Sequence, residues 1–199
     1  MRLTGTGGVG LIAWAFLILL VDGCHTVRLP ADGVTFSQVA DKLNLRVELH
    51  IPDELRNAEW HSAARTEGDP AAIGENIAIN SQKLVRNVFA YSVVSEKGNS
   101  GGNNDTTHIL TPRLIFSRYV HGGSAWDEAR FTVCLEWRLV AADGKLKWVD
   151  TIKGIGKGSG FLKTTKLDNS MKLAIQDTFD KSQSAMLASR VLRELTQAP

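Results

Sequence analysis

The sequence predicts an α+β domain of two layers, a mostly antiparallel sheet of 4–5 strands with two main helices packed on one face. Apolar residues alternate with polar ones from Arg130 to Val140, the pattern of a strand with one buried face. Asp143 and Gly144 follow, and a second alternating run begins at Lys145, which predicts a tight hairpin. Two other segments show helical spacing, and this order of elements is typical of an α+β domain.

The first half of the domain is predicted to alternate between helices and strands. Residues 35–43 could form two helical turns, and residues 45–51 alternate as a strand that Pro52 stops. Residues 52–68 are polar and are interpreted as a loop with a single helical turn. A capping residue followed by proline then predicts a helix over residues 70–90, and residues 91–96 form a short strand.

The second half is predicted to be strand-rich and to end in one long helix. Residues 97–105 form an exposed loop, after which five apolar or aromatic residues share one face of a strand: His108, Leu110, Leu114, Phe116 and Val120. Pro112 marks this strand as an edge or a bulge because proline cannot donate to a ladder. From Ser170 the apolar spacing predicts an amphipathic helix that continues to Leu195.

Four glycines alternate between the last predicted strand and the last helix, at Gly154, Gly156, Gly158 and Gly160. A glycine-rich turn before a helix can bind phosphate, but the phosphate-loop pattern needs Ser or Thr after its lysine, and Gly158 follows Lys157. We therefore expect these glycines to end the strand.

Residues 1–23 have the three-part form of an export signal, with Arg2 near the start and an apolar run over residues 10–21. A spanning helix needs about 20 apolar residues, and this run is nearer a dozen. Residues 24–33 contain Pro30 and Gly33 and are predicted to be a tether, and residues 34–199 a single domain.

The end of this leader resembles the bacterial lipobox. Val21, Gly23 and Cys24 match that pattern, whereas Asp22 stands where a small residue is usual. The resemblance implies cleavage before Cys24 and attachment of lipid, including palmitate, to its thiol. His25 follows, and the absence of Asp there implies sorting to the outer membrane, facing the periplasm. The alternatives are an ordinary secretory signal, or a short anchor with an unmodified thiol.

A longer stretch, residues 84–187, resembles small bacterial envelope lipoproteins and periplasmic domains. The residues that carry the resemblance are 107–113, the hairpin at 136–148 and the glycine run at 154–158. The family includes the curli-secretion-channel lipoproteins, the N-terminal domain of TolB and the auxiliary lipoproteins of ABC transporters. The resemblance implies a fold and an envelope setting, and no catalytic residues accompany it.

Charge and motif spacing argue against several other classes of function. The formal net charge is +2, with no basic cluster, which disfavours nucleic-acid binding. The five histidines are scattered, so we expect no metal site and no cofactor. Cys134, within a strand, is interpreted as a structural thiol. Cys24 is therefore the one residue with a predicted functional role.

The favoured hypothesis is a membrane-anchored, non-enzymatic protein that serves envelope biogenesis, transport or secretion as an accessory or assembly factor. An envelope protein partner would meet the sheet edge or the loop at 97–105. A hydrolase is an alternative, because Asp127, Glu128 and Glu136 near Trp126 could supply paired carboxylates. A carrier of an apolar ligand is another, and it requires an empty apolar cavity.

Overall fold

The computed structural model of the protein describes residues 33–61, 71–95, 108–121, 127–159 and 163–197. Its strands are β1 (Leu43–His50), β2 (Phe89–Ser95), β3 (His108–Val120), β4 (Ala129–Ala141) and β5 (Leu146–Gly158). Its helices are α1 (Asp53–Arg56), α2 (Ile73–Val88), α3 (Lys163–Ala188) and α4 (Arg190–Gln197). The predicted strands and the two main helical segments are present, so the α+β class is confirmed.

The five strands form one mixed sheet in the order β2-β1-β3-β4-β5. The strands β3, β4 and β5 pair antiparallel, whereas β1 is parallel to both of its neighbours. The prediction of a mostly antiparallel sheet is therefore only partly right. The cause is α2, which returns the chain to the starting end of β1, so that β2 must run parallel to β1.

One hydrophobic core joins the buried face of the sheet to buried residues of the helices. Phe131, Val133, Leu135, Trp137 and Leu139 of β4 are all fully buried, as their alternation predicts. They belong to the same cluster as apolar residues of β1, α2, α3 and α4. No helix in the described part of the chain is both long and apolar enough to cross a lipid bilayer.

A β-bulge in β3 corrects the predicted face of that strand. Leu114 pairs with Leu135, but Phe116 pairs with Cys134, so Ile115 is an extra residue on β3. One inserted residue moves every later side chain to the opposite face. Phe116 and Val120 are therefore exposed rather than on the core side with the buried Leu110 and the half-buried Leu114.

Pro112 lies where β3 changes from an inner strand to an edge. β1 pairs with β3 only as far as Leu110, and from Pro112 onward the described pairing of β3 is with β4 alone. Proline is tolerated there because a backbone donor on the unpaired side is not needed. The bulge at Ile115 follows three residues later.

The glycines do not end the last strand, because Gly154, Gly156 and Gly158 lie inside β5 on its buried face. A Cβ at Gly156 would lie 2.0 Å from the carbonyl oxygen of Ser170 and 2.3 Å from the backbone nitrogen of Ala174. The backbones of β5 and α3 are therefore in direct contact. The stripe is a packing surface for the helix, and Gly160 lies outside the described residues.

The predicted hairpin between β4 and β5 is confirmed. Gly144 has a φ of +80°, and its N–H donates to the carbonyl of Ala141 at 2.9 Å. The side chain of Asp143 accepts the N–H of Lys145 at 3.0 Å. The tight turn thus depends on a glycine that can adopt positive φ and an Asp that bonds locally.

Two helical predictions need correction. Residues 35–42 contain no helix, and Leu43 is the first residue of β1. The C-terminal helix is two helices, because α3 ends at Ala188 and α4 begins at Arg190. Ser189 separates them, and its hydroxyl accepts the N–H of Leu192 at 3.3 Å, as an N-capping serine does.

Candidate functional site

Cys24, Asp22 and His25 lie outside the described residues, as does the predicted loop at 97–105. The description begins nine residues after Cys24, at Gly33. Residues 33–42, here called the strap, connect that point to β1. Their contacts determine where the chain that follows Cys24 joins the domain.

Polar side chains of α2 and α3 hold the backbone of the strap. The Gln176 side chain accepts the N–H of Thr35 at 2.9 Å and donates to its carbonyl at 2.7 Å. The carbonyl of Ser37 accepts one bond from Gln183 and one from Asn87, both of 2.8 Å. An amide that bonds both backbone groups of one residue imitates a neighbouring strand.

An aromatic chain connects the strap to the buried face of the sheet. Phe36 meets Phe179 of α3 edge-to-face at a centroid distance of 6.0 Å, and Phe179 meets Trp137 of β4 at 6.4 Å. Trp137 is fully buried. The strap therefore lies on the same side of the sheet as α3, with the helix between it and β4.

The other side of β3, β4 and β5 carries a second set of side chains, here called the open face. Cross-strand register places them in rows, because paired residues point to the same side. Five rows run from β3 to β5: Thr111–Arg138–Val149, Arg113–Glu136–Thr151, Phe116–Cys134–Lys153, Arg118–Thr132–Ile155 and Val120–Arg130–Lys157. The bulge at Ile115 places Phe116, Arg118 and Val120 in this set.

Basic residues predominate on the open face. Glu136 pairs with Arg138 at 2.6 Å, and Glu128, just before β4, pairs with Lys157 at 3.1 Å. Within the part of the chain that the structure describes, four further basic residues of this face have no ion-pair partner: Arg113, Arg118, Arg130 and Lys153. The open face is thus distinctly more positive than the chain as a whole, whose net charge is +2.

Cys134 is the one open-face residue of β4 that is almost fully buried. Its row neighbours are Phe116 and Lys153. Burial raises the pKa of its thiol, Lys153 opposes this rise, and the Glu136 carboxylate adds a smaller upward effect. A protonated, covered thiol is a poor nucleophile.

Of the carboxylates proposed for acid–base chemistry, Glu128 and Glu136 are not brought together. Glu128 and Glu136 are eight residues apart along an extended chain, a separation of about 26 Å at about 3.3 Å per residue. Paired carboxylates that cleave glycosidic bonds lie within about 10 Å of each other. Each of the two is instead paired with its own basic neighbour, and Trp126 lies outside the described residues.

Two surface clefts of the described chain are candidate ligand sites. One, of about 430 Å³, lies between α1 and α2 and is lined by Arg56, Glu59, Glu75 and Gln82 among others. The other, of about 370 Å³, lies beside the strap and includes Gln176, Asp180 and Gln183. Both are open to solvent and are lined by polar as well as apolar groups. Neither is the enclosed apolar cavity that a carrier of an apolar ligand requires.

Comparison with known proteins gives similarity of fold. No protein-family model matches the sequence, and no curated protein sequence matches it. A Xanthomonas campestris protein of the DUF330 family has a similar structure, with a TM-score of 0.56 and 10% identity over 88% of this chain and 99% of that chain.

Two further solved structures are more distant. A minor lipoprotein from Acinetobacter baumannii has a TM-score of 0.45 and 12% identity, over 75% of this chain and 96% of that one. A candidate lipoprotein from Caulobacter crescentus has the same TM-score and identity, over 77% and 93%. Likeness at such identities concerns the fold alone. The resemblance to the curli-secretion, TolB and ABC-transporter group stays a prediction.

The open face and the strap are the features that sequence reasoning missed. Alternation along β4 does separate Arg130, Thr132, Glu136 and Arg138 from the core residues. The rows across three strands, however, depend on register and on the bulge in β3. The strap has no periodicity, and two of its polar partners, Gln176 and Gln183, lie more than 100 residues away on α3.

Proposed function

We propose that this chain is a bacterial lipoprotein, cut before Cys24, acylated there, and held at the periplasmic side of the outer membrane. Its domain acts without catalysis as an accessory or assembly factor in envelope biogenesis, transport or secretion. The observation that carries the proposal is the leader that ends in Val21-Asp22-Gly23-Cys24 and is followed by a short linker. The fixed strap that follows it is the kind of junction that an anchored domain needs.

The tether supports a domain that works close to a membrane surface. Gly33 is nine residues after Cys24 in the sequence, and a fully extended chain of nine residue steps spans about 30 Å. Several acyl chains at one site would hold the protein firmly, since each buried CH₂ contributes about 0.8 kcal/mol. The domain would therefore meet partners that lie near the membrane surface, at a distance not much greater than the diameter of the domain.

The arrangement of polar groups supports a non-enzymatic role. Glu128 and Glu136 are eight residues apart along an extended chain, and the Cys134 thiol is covered, with its pKa raised by burial. The side chains of Gln176, Gln183 and Asn87 bind the chain's own backbone. Their role in this arrangement is structural.

The test is palmitate labelling of cells that express the wild type or Cys24→Ala, followed by separation of inner membrane, outer membrane and soluble periplasm. We expect label and outer-membrane location for the wild type, and loss of both for the variant. Asp22→Ala is a useful companion, because it restores the usual small residue and should be processed at least as well. Unlabelled wild-type protein in the soluble fraction would contradict the proposal.

A further inference from the structure

The open face exposes apolar side chains that a solvated sheet does not need. Phe116, Val120, Val149 and Ile155 are between 40% and 47% exposed. They lie in four of the five rows and are interspersed with basic residues. Exposed aromatic and aliphatic side chains among arginines on one face are typical of a surface that a protein partner covers.

The charge of this face selects what can cover it. Four basic residues are unpaired within the described chain, and both acidic groups, Glu128 and Glu136, are already engaged with basic neighbours. A second copy that presented the same face would bring like charges together. Like-charge juxtaposition costs several kcal/mol when solvent is excluded. The face therefore fits an acidic surface on a different molecule.

The strap argues against a lipid surface as that acidic partner. Phe36 reaches the sheet through Phe179 and Trp137, so the chain from the anchor enters on the helix side of the sheet. The open face is on the opposite side. The proposed lipid anchor is therefore attached on the helix side, which leaves the open face free for a partner in the aqueous compartment.

We propose that the open face of β3, β4 and β5 is a docking surface for a protein partner that presents acidic residues around apolar ones. This proposal rests on the proposed anchored function and specifies where its partner binds. Phe116 and Ile155 provide the apolar contact, and Arg118 and Arg130, in adjacent rows, provide the charge. Arginine and aromatic residues are enriched at protein interfaces, and complementary charge sets specificity and association rate.

The test is site-specific photocrosslinking of the full-length, anchored protein in the cells that produce it. A photoreactive residue replaces Ile155 on the open face or, as a matched control, Leu173, an exposed apolar residue of α3. We expect an adduct with one protein from Ile155 and none from Leu173. Mass spectrometry of the adduct should place the crosslink within an acidic segment of that protein.

Charge reversal supplies the second arm. Arg118→Glu with Arg130→Glu should lower the yield of the Ile155 adduct at least tenfold. The control, Arg56→Glu with Arg86→Glu, makes the same change of net charge on α1 and α2, and should leave the yield unchanged. Palmitate labelling and membrane fractionation of every variant show whether the anchor is intact, so a failed anchor is distinguished from a failed docking surface.

Several outcomes would overturn the docking surface. These are an Ile155 adduct with lipid or with a second copy, no adduct although the protein is anchored, and a crosslink in a basic segment. An unchanged yield in the Arg118→Glu, Arg130→Glu variant would do the same. A tenfold loss confined to that variant, with an acidic crosslinked segment, would support it.

Discussion

The backbone N–H of Ile155 donates to the carboxylate of Asp177 at 2.8 Å, on the side of β5 that has no neighbouring strand. Lys181, one helical turn later on α3, donates to the carbonyl of Lys153 at 3.2 Å and pairs with Asp177 at 2.7 Å. The two side chains therefore occupy backbone positions that an added strand would use. Unprotected sheet edges can pair with other chains, and the Asp177–Lys181 ion pair protects the edge of β5 from such pairing.

Asp177→Ala should expose this edge and promote self-association. We expect a loss of about 1.5 kcal/mol in the free energy of unfolding, the lower end of the range for hydrogen bonds to charged groups, because Asp177 is partly exposed. Asp168→Ala is the matched control, because Asp168 makes only the equivalent pair with Lys172, worth about 0.5 kcal/mol. Urea unfolding and light scattering measure both quantities. Equal aggregation of the two variants would show that Asp177 does not prevent association through the edge of β5.

Gly156→Ala should disrupt the contact between β5 and α3. The added Cβ meets backbone atoms of Ser170 and Ala174, which cannot move without shifting the helix. We expect a loss of about 3 kcal/mol in the free energy of unfolding, at the upper end for overpacking. Lys157→Ala, one residue later and exposed, should cost no more than about 0.5 kcal/mol. Thermal and urea unfolding of both variants check this, and a Gly156→Ala protein of wild-type stability would contradict direct backbone contact.

Ser182→Ala should leave a buried donor without its partner. The indole Nε1–H of Trp137 donates to the Ser182 hydroxyl at 2.9 Å, and both residues are fully buried. An unsatisfied buried group costs about 1–3 kcal/mol. Ser184→Ala removes a similar hydroxyl from the exposed side of α3, where it bonds only the Asp180 carbonyl, and should cost under about 0.5 kcal/mol.

A double-mutant cycle completes that test. Trp137→Phe removes the indole donor, so Ser182→Ala should cost less in that background than in the wild type. The expected coupling is at least about 1 kcal/mol. Additive effects on the free energy of unfolding would mean that the hydrogen bond contributes nothing.

His108 should make the domain less stable in mild acid. Burial, together with the charge of Lys147, lowers the pKa of His108 below its ordinary value of 6.5. The unfolded chain therefore takes up a proton as the pH falls through 6.5, while the folded protein does not, and unfolding is favoured. The stability that depends on an uncharged His108 is therefore fully present above pH 6.5 and is lost progressively below it.

The measurement is urea unfolding at pH 7.5 and pH 5.5. His108→Gln should lose less stability between these two values than the wild type. His61→Gln is the control, because the side chain of His61 is exposed beside Glu59. If His108→Gln lost as much stability on acidification as the wild type does, the pH dependence would belong to other groups.

The sequence was most informative where side chains alternate without interruption. The hairpin of β4 and β5 was predictable because its alternation and its Asp143-Gly144 turn agree. β3 was misassigned beyond Leu114 because a bulge leaves no local signal in one sequence. The glycines of β5 recur at every second residue, which is the spacing of a strand. Because glycine has no side chain to show a buried face, the sequence predicts a strand end there instead.

The candidate site was less accessible to sequence reasoning than the fold. The role of Cys24 is predicted from a local pattern and remains a prediction. The open face depends on which residues lie side by side across three strands, a property of register. The strap depends on pairs such as Thr35 and Gln176, which are 141 residues apart. Neither kind of relation can be read from local spacing.

The strap also determines how the domain responds to mechanical load. Any pull on the chain before Gly33 acts first on the hydrogen bonds between Thr35 and Gln176, and then on those that hold Ser37. Bonds at two successive points, with Phe36 seated between them, must yield before force reaches β1. A force applied from the N-terminal side thus acts first on the contacts of the strap with α2 and α3. It reaches the sheet that carries the open face only after those contacts break.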